Sequence, residues 1–127
     1  MGHTHYWRLA DTMVKKDYEQ ALFNCRKIVR SSTIPLEFGV RGRDLVFNGV
    51  GEDGHEEFVL EEFPIFGFNF CKTARKPYDL IVVACLCVLN ECTDESPSSD
   101  GDPAEWEKGR AFAEEVLGRK VTNPLAR

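Results

Sequence analysis

The sequence predicts a single α+β domain in which an antiparallel sheet of about four to five strands packs against three helices. The chain has 127 residues, of which 43% are hydrophobic, and this is enough for one buried core. Alternating apolar residues predict strands at the start and in the middle of the chain, whereas three longer segments have helical periodicity. The predicted domain covers residues 1–118, and residues 119–127 are predicted to form a loosely held C-terminal tail.

The first two predicted elements are a strand and an amphipathic helix. Residues 2–9 alternate and are rich in strand formers, so successive side chains lie on opposite faces. Either Asp11 or Thr12 is predicted to cap a helix that runs to about Arg30. The apolar positions of this helix form one stripe, which consists of Val14, Tyr18, Ala21, Leu22, Cys25, Ile28 and Val29.

The middle of the chain predicts a hairpin and then an aromatic strand. Residues 44–50 and 57–61 are predicted strands, joined by a glycine-rich turn that begins at Asn48. Residues 63–70 form the next predicted strand. One face of that strand carries three aromatic side chains, Phe66, Phe68 and Phe70.

Two further helices are predicted in the C-terminal half. The second helix runs from about Pro77 to about Glu91 and is apolar on every side, which is typical of a core helix. A polar loop follows at residues 93–102. The third helix begins with Asp102 as its N-cap and ends near Gly118, a typical C-cap.

Composition limits the class of protein. The formal charge of −5 and the acidic pI argue against a general nucleic-acid-coating role, which needs a basic surface. Five cysteines, an odd number, fit reduced thiols in the cytoplasm, with Cys71 beside Lys72 as the candidate reactive thiol. The N-terminal residues do not resemble a signal peptide, and the longest apolar run, residues 80–89, is too short to span a membrane. We therefore expect a cytoplasmic protein that does not insert into membranes.

The junction between the aromatic strand and the second helix, residues 66–79, carries the clearest functional pattern. Basic and hydroxyl-bearing residues precede the helix, where unpaired N–H groups and the helix dipole attract anions. The predicted ligands of a phosphate or carboxylate are Lys72, Thr73, Arg75 and Lys76, with Tyr78 to stack on a base or supply a hydroxyl.

An alternative interpretation of this junction remains open. The same cations can be solvated charges at a strand end that pair with Glu56, Glu61 or Asp79. Asp79 also offsets some of their charge. The glycine spacing of a P-loop is lacking, so nucleotide hydrolysis is not predicted.

The aromatic and histidine residues near the start form a second candidate site. We expect three of them to line a pocket or to pack on a helix: His5, Tyr6 and Trp7. His3 and His5 share a strand face and could ligate a metal together with His55 or Cys71, but no metal-binding spacing supports this. The sequence therefore predicts neither a metal nor a cofactor.

The hairpin tip is a third candidate site. Its glycines allow close approach of a ligand, so Asn48 and His55 are predicted ligand contacts, although a plain turn explains the same residues. His55 with Glu56 would be the acid–base pair of an enzyme. No nucleophile accompanies them, so we assign no catalytic residue and do not favour an enzyme. The oxygen-rich residues 98–102 are explained by helix capping rather than by cation binding.

Several strings in the chain resemble a known group of proteins. They are Gly-x-Thr-His-Tyr-Trp at residues 2–7, residues 47–52 with 55–56, Cys-Lys-Thr-Ala-Arg-Lys-Pro-Tyr-Asp at residues 71–79, and residues 98–102 with Trp106. Together they resemble a family of small, uncharacterised proteins of bacteria and their phages. The resemblance spans most of the chain. It implies a phage-encoded protein in the cytoplasm of a bacterial host cell and assigns no activity.

These observations lead to two hypotheses of function. The first is a non-enzymatic binding protein that captures an anionic, nucleotide-like small molecule and thereby counters a host signalling or defence pathway. The alternative is a protein–protein interaction module that inhibits a host enzyme through exposed aromatic residues and an acidic surface. The aromatic strand at residues 66–70 either covers helices of its own fold or pairs with a second copy, so a homodimer is also predicted.

Overall fold

The computed structural model describes residues 3–126 and confirms the α+β class. This part of the chain contains three α-helices and six strands, and four of the strands lie between the first and second α-helices. The strands are β1 (Thr4–Leu9), β2 (Leu36–Phe38), β3 (Leu45–Gly49), β4 (Phe58–Leu60), β5 (Gly67–Lys72) and β6 (Ser98–Ser99). The helices are α1 (Lys15–Arg30), α2 (Asp79–Leu89) and α3 (Pro103–Leu117).

The strands form two antiparallel sheets instead of the single sheet that we predicted. One sheet has the order β5-β1-β6 and the other has the order β2-β3-β4. Trp7 of the first sheet and Phe58 of the second pack with their ring centroids 5.4 Å apart. The two sheets therefore meet through core side chains, and within the second sheet Phe58 also packs against Phe47 at a tilted angle of 53°.

Helix α2 lies at the centre of the molecule. Each of its residues from Ile81 to Leu89 is buried, as its uniformly apolar sequence predicts. Helices α1 and α3 both pack against it. The predicted apolar stripe of α1 is confirmed except at Val14, which precedes the helix and is exposed. Among the described residues, no helix has the length and hydrophobicity that a membrane span requires.

A side-chain cap fixes the start of α3 but not that of α1. The Asp102 side chain accepts a hydrogen bond from the Glu105 backbone N–H, and the Glu105 side chain accepts one from the Asp102 N–H, so the predicted start of α3 is confirmed. The predicted cap of α1 is wrong. The Thr12 hydroxyl donates to Asp94 instead, and the helix begins at Lys15.

Strand β1 holds the N-terminal residues between two late segments of the chain. The backbone N–H groups of Thr73 and Ala74 donate to the His3 carbonyl, and the Asp100 N–H donates to the Thr4 carbonyl. The buried face of β1 thus lies beside the start of α2 on one flank and the β6 segment on the other.

Two surface predictions have different outcomes. The aromatic strand does not cover helices of its own fold, because Phe66, Phe68 and Phe70 are each more than half exposed. Part of the predicted tail is packed against the domain. Val121 and Asn123 are buried, and the Asn123 amide donates to the Pro103 carbonyl at the start of α3.

Candidate functional site

The turn between β5 and α2 has an unusual backbone. Ala74 and Arg75 have φ angles of 53° and 57°, in the left-handed region that non-glycine residues rarely adopt. The Lys76 N–H closes the turn by donating to the Thr73 carbonyl. This tight reversal brings the first residue of α2, Asp79, beneath the buried face of β1.

Asp79 is the acceptor at the centre of a buried hydrogen-bond network. Its Oδ1 atom lies 2.6 Å from His5 Nε2 and accepts a 2.5 Å hydrogen bond from the Thr73 hydroxyl. The other ring nitrogen of His5, Nδ1, lies 2.7 Å from Ser99 Oγ. His5 and Thr73 are fully buried, so these hydrogen bonds form away from solvent.

The partners of Ser99 fix the tautomer of His5. Ser99 Oγ accepts hydrogen bonds from the Gly101 backbone N–H at 2.9 Å and from Trp106 Nε1–H at 3.2 Å. Both donors occupy its lone pairs, so the Ser99 hydroxyl hydrogen points to His5 Nδ1. His5 then carries its proton on Nε2 and donates it to Asp79. The Ser99–His5–Asp79 order resembles a catalytic triad, but the serine oxygen has no free lone pair for attack.

His3 is the least satisfied polar residue of the site. Its side chain is 1% exposed, and Nδ1 has no hydrogen-bond partner. Its Nε2 lies 3.8 Å from Asp79 Oδ1, too far for a hydrogen bond. The ring packs edge-on against His5, and a Cβ atom at Gly101 would lie 2.7 Å from it. Gly101 therefore leaves the space that the His3 ring occupies.

The electrostatics of the network favour a neutral His3 beside an ionised Asp79. Burial lowers the pKa of His3, and this effect outweighs the opposite influence of Asp79. Burial alone would raise the pKa of Asp79, but the hydrogen bonds from His5 and Thr73 lower it below its usual value.

A cleft of about 590 Å³ opens above this network, between the β5–α2 turn and the first turns of α3. We call it the junction cleft. His3 and Asp79 lie in its wall, and its charged lining residues are Arg75, Lys76, Asp79, Asp102, Glu105 and Lys108. This cleft joins residues from three separate parts of the chain.

The carboxylates of the junction cleft are already engaged, whereas two of its cations are not. Arg75 pairs with Glu105 at 2.9 Å, and Asp102 and Glu105 also form the capping box of α3. Among residues 3–126, no carboxylate oxygen lies within 4.0 Å of the ammonium group of Lys76 or Lys108. The cleft therefore offers two unpaired positive charges.

The local argument that predicted an anion site is partly wrong. We expected unpaired N–H groups at the start of α2, but the first three are bonded. The N–H groups of Asp79, Leu80 and Ile81 donate to the carbonyls of the preceding turn, at residues 76, 77 and 78. Any attraction of the junction cleft for anions therefore comes from side chains.

The predicted binding residues around this junction do not all converge. Arg75 and Lys76 line the junction cleft, whereas Thr73 is committed to Asp79 and Lys72 lies outside the cleft. The remaining predicted contacts, Tyr78, Trp7 and Tyr6, are engaged elsewhere. Tyr78 is fully buried and its hydroxyl donates to the Glu56 carbonyl; Trp7 is buried in the core; Tyr6 stacks on Phe68.

The predicted contacts in the hairpin form no site with those of the cleft. Asn48 and His55 line a different, smaller cavity of about 350 Å³. The Asn48 side chain holds the turn together: its amide donates to the His55 carbonyl and its oxygen accepts from the Gly49 and His55 N–H groups. The turn interpretation explains this residue fully.

Cys71 is not the reactive thiol that we predicted. It is fully buried, and burial raises its pKa to about 12. Its Sγ donates to the Glu56 and Glu57 carbonyls. A thiol of this kind is structural at neutral pH.

Sequence reasoning missed the residues that reach the site from the third helix and the β6 segment. Lys108, Ser99 and Trp106 belong to this group. The capping box at residues 102–105 was a local signal for the helix start, and Lys108 follows one turn later. No local sequence pattern indicated that the start of α3 faces β1.

Comparison of the chain with models of known protein families, with curated proteins and with solved structures finds no match.

Proposed function

We propose that the protein binds an anionic small molecule in the junction cleft and does not transform it. The observation that carries this proposal is the difference in how the cleft's charged side chains are paired. Its carboxylates have internal partners, whereas Lys76 and Lys108 have none among the described residues. A phosphate or carboxylate between the two ammonium groups would complete the missing ion pairs.

The size and lining of the cleft support a small ligand. A volume of about 590 Å³ is in the range of metabolite sites. Pro77, Leu80 and Ala104 provide a small apolar surface beside the charges. No phenylalanine, tyrosine or tryptophan lines the described cleft, so recognition of the anionic group supports the proposal better than base stacking does.

We further propose that the ligand is nucleotide-like and that its capture counters a host signalling or defence pathway. Both points depend on the resemblance to phage proteins and on the basic junction. A phosphorylated host signal molecule would satisfy the two free lysines in the same way as any other phosphate ester. The ligand screen therefore includes nucleotides together with simpler phosphates.

The proposal is tested by thermal-shift and calorimetric titration of the full chain with inorganic phosphate, sugar phosphates, dicarboxylates, and linear and cyclic nucleotides. At least one of these anions is expected to raise Tm and to bind with an affinity that falls as salt increases. The variant Lys76→Ala/Lys108→Ala is expected to lose this shift.

The matched control is Lys16→Ala/Lys27→Ala, which removes two exposed lysines from α1. It changes the net charge equally and should keep the full shift. The proposal is wrong if no anion in the panel raises Tm, or if the cleft variant retains the shift that the control shows.

A second candidate function is protein binding through the outer face of the first sheet. Phe68 and Phe70 on β5 are 58% and 57% exposed, and Tyr6 of β1 stacks beside Phe68. β5 is an edge strand of that sheet, so a second copy of the chain is the simplest partner. Sedimentation of the wild type against Phe68→Ser/Phe70→Ser tests this: a dimer that the variant abolishes supports it, and a monomeric wild type rules out the homodimer.

A further inference from the structure

We infer that His3, His5 and Asp79 form a binding site for a divalent transition-metal ion, of which Zn²⁺ is the type, with an open coordination position toward the junction cleft. Each of the three residues offers one ligand atom, and these atoms all lie within 4.8 Å of one another. The inference does not depend on the proposed anion binding, because it is carried by a different set of side chains.

The positions of the donors follow from the fold. His3 and His5 are two residues apart at the start of the chain, so both rings point to the buried face of β1. The left-handed turn at residues 74–75 brings Asp79 beneath them. Two imidazoles and one carboxylate on rigid elements are a common ligand set of zinc and related ions with three protein ligands.

The distances need only a small adjustment to hold an ion. Asp79 Oδ1 lies 2.6 Å from His5 Nε2 and 3.8 Å from His3 Nε2. A tetrahedral ion with ligand bonds of about 2.0–2.1 Å separates its donor atoms by about 3.3 Å. The carboxylate oxygen must therefore move about 0.7 Å away from His5 and about 0.5 Å toward His3. The ligand nitrogens of His3 and His5, which lie within 4.8 Å of each other, must reach the same separation of about 3.3 Å, and side-chain rotations supply these shifts.

His3 provides the second, independent observation. It is a buried imidazole without a hydrogen bond on either ring nitrogen to any described residue, although its Nε2 faces the Asp79 carboxylate. A buried polar group without a partner is costly. Ligation would give one His3 nitrogen a strong partner beside Asp79, whose carboxylate is the only one within 4.0 Å of the ring nitrogens among the described residues.

The surroundings of His5 suit a metal-ligating histidine, because Ser99 holds the ring through the nitrogen that does not bind the ion. Binding an ion at Nε2 requires the proton there to move to Nδ1, so the neutral ring changes tautomer without net loss of a proton. The Nδ1–H group then donates to Ser99 Oγ, the kind of oxygen partner that metal-bound histidines use. Ser99 in turn gives up the weaker of its incoming hydrogen bonds, the 3.2 Å bond from Trp106.

The ligand chemistry also limits the ion. Two nitrogen donors disfavour Mg²⁺ and Ca²⁺, which select oxygen ligands. Three protein ligands leave at least one position for an exchangeable ligand. Since His3 and Asp79 line the junction cleft, that position faces the cleft, where a water or an anion can occupy it.

The test uses the full chain after treatment with a chelator. Titration with Zn²⁺ by calorimetry is expected to give one tightly bound ion per chain. Addition of Co²⁺ or Cu²⁺ is expected to quench the fluorescence of Trp106, whose ring centroid lies 5.2 Å from that of His5. The chain has two tryptophans, so the quenching is measured in the Trp7→Phe background.

The decisive variants are His3→Asn and the control His55→Asn. His3→Asn removes a ligand and is expected to weaken Zn²⁺ binding more than tenfold, whereas His55 lies exposed in the hairpin and its loss should change nothing. If circular dichroism shows that His3→Asn is unfolded, Asp79→Asn replaces it. Absence of one-to-one binding in the wild type, or equal affinity in wild type and the folded ligand variant, overturns the inference.

The outcome is independent of the proposed function. Anion binding is measured in the chelator-treated protein without added metal, and metal binding is measured without added anions. Loss of one result leaves the other intact. If anions bind only when Zn²⁺ is present, the metal site stands and the lysine-based proposal fails.

Discussion

The junction cleft and the tip of the β3–β4 hairpin look alike in sequence but differ in how their polar groups are satisfied. Both combine turn residues with histidine and carboxylates. In the hairpin, the Asn48 side chain bonds to three backbone groups of its own turn. In the cleft, His3 has an unpaired buried nitrogen and Lys76 and Lys108 have no ion-pair partner among the described residues.

The difference separates a turn from a binding site. Polar residues whose hydrogen bonds are all made within their own turn have a structural role, because those bonds stabilise the fold. Polar residues that remain unpaired in a buried or concave place lower the stability of the fold and so point to a ligand. This criterion favours the cleft over the hairpin as the place of the proposed binding site.

The largest expected effect comes from Asp79→Ala. This change removes the acceptor of two buried donors, His5 Nε2–H and the Thr73 hydroxyl. We expect the free energy of unfolding to fall by about 3 kcal/mol, since each unpaired buried donor costs about 1–3 kcal/mol. Urea denaturation measures it, and a loss below about 1 kcal/mol would show that the network is not a structural centre.

The second expected effect is a loss of stability on acidification. Folding lowers the pKa of both His3 and Asp79, so the unfolded chain binds more protons than the folded one at acid pH. The stability that His3 contributes is fully present above its ordinary pKa of 6.5 and is lost as pH falls through its folded pKa. The stability that Asp79 contributes is lost in the same way below its ordinary pKa of 3.8.

Urea titrations from about pH 8 to about pH 4 in the presence of chelator measure the part of this dependence that is due to His3, and each unit of lowered pKa is worth about 1.4 kcal/mol. In His3→Asn the decline near the histidine range should disappear, whereas His55→Asn should keep it. An identical pH profile in all three proteins would contradict the assignment to His3.

A smaller effect is expected for Asn48→Ala in the hairpin. The residue is half-buried, and water can replace part of its three hydrogen bonds, so we expect a loss of about 1 kcal/mol. Anion and metal binding should be unchanged. Loss of either type of binding in this variant would mean that the hairpin contributes to the site after all.

The smallest effect should be a gain. Ala74 adopts a φ of 53°, and a left-handed conformation costs a non-glycine residue about 1–2 kcal/mol, against about 0.5–1 kcal/mol for the entropy of an added glycine. Ala74→Gly should therefore stabilise the protein by about 0.5–1 kcal/mol in urea denaturation. The reverse change in the hairpin, Gly51→Ala at φ 56° with no neighbouring atom within 4 Å, should destabilise it.

Most of the architecture could be predicted because its signals are local. The capping box of Asp102 and Glu105, the apolar stripe of α1 and the apolar composition of α2 each lie within one segment. The split into two sheets could not be predicted in this way. It depends on core packing between Trp7 and Phe58, which are far apart in the sequence.

The site was predicted only in part for the same reason. Arg75 and Lys76 precede a helix and therefore gave a local signal. The pairing of His5 with Asp79 joins residues 74 positions apart, and Ser99 lies 94 positions from His5. No local pattern records which helix end meets which strand, so the central acceptor and Lys108 became evident only in the fold.

The hydrogen bonds that join β1 to the segment around Asp100 also constrain how the molecule folds. The Thr4 N–H donates to an Asp100 side chain 96 residues away, and the Asp100 N–H donates back to the Thr4 carbonyl. Closing such a long loop is slow compared with forming a helix. During synthesis the β5–α2 half of the histidine network can form first, but Ser99 and α3 complete it only when nearly the whole chain has been made.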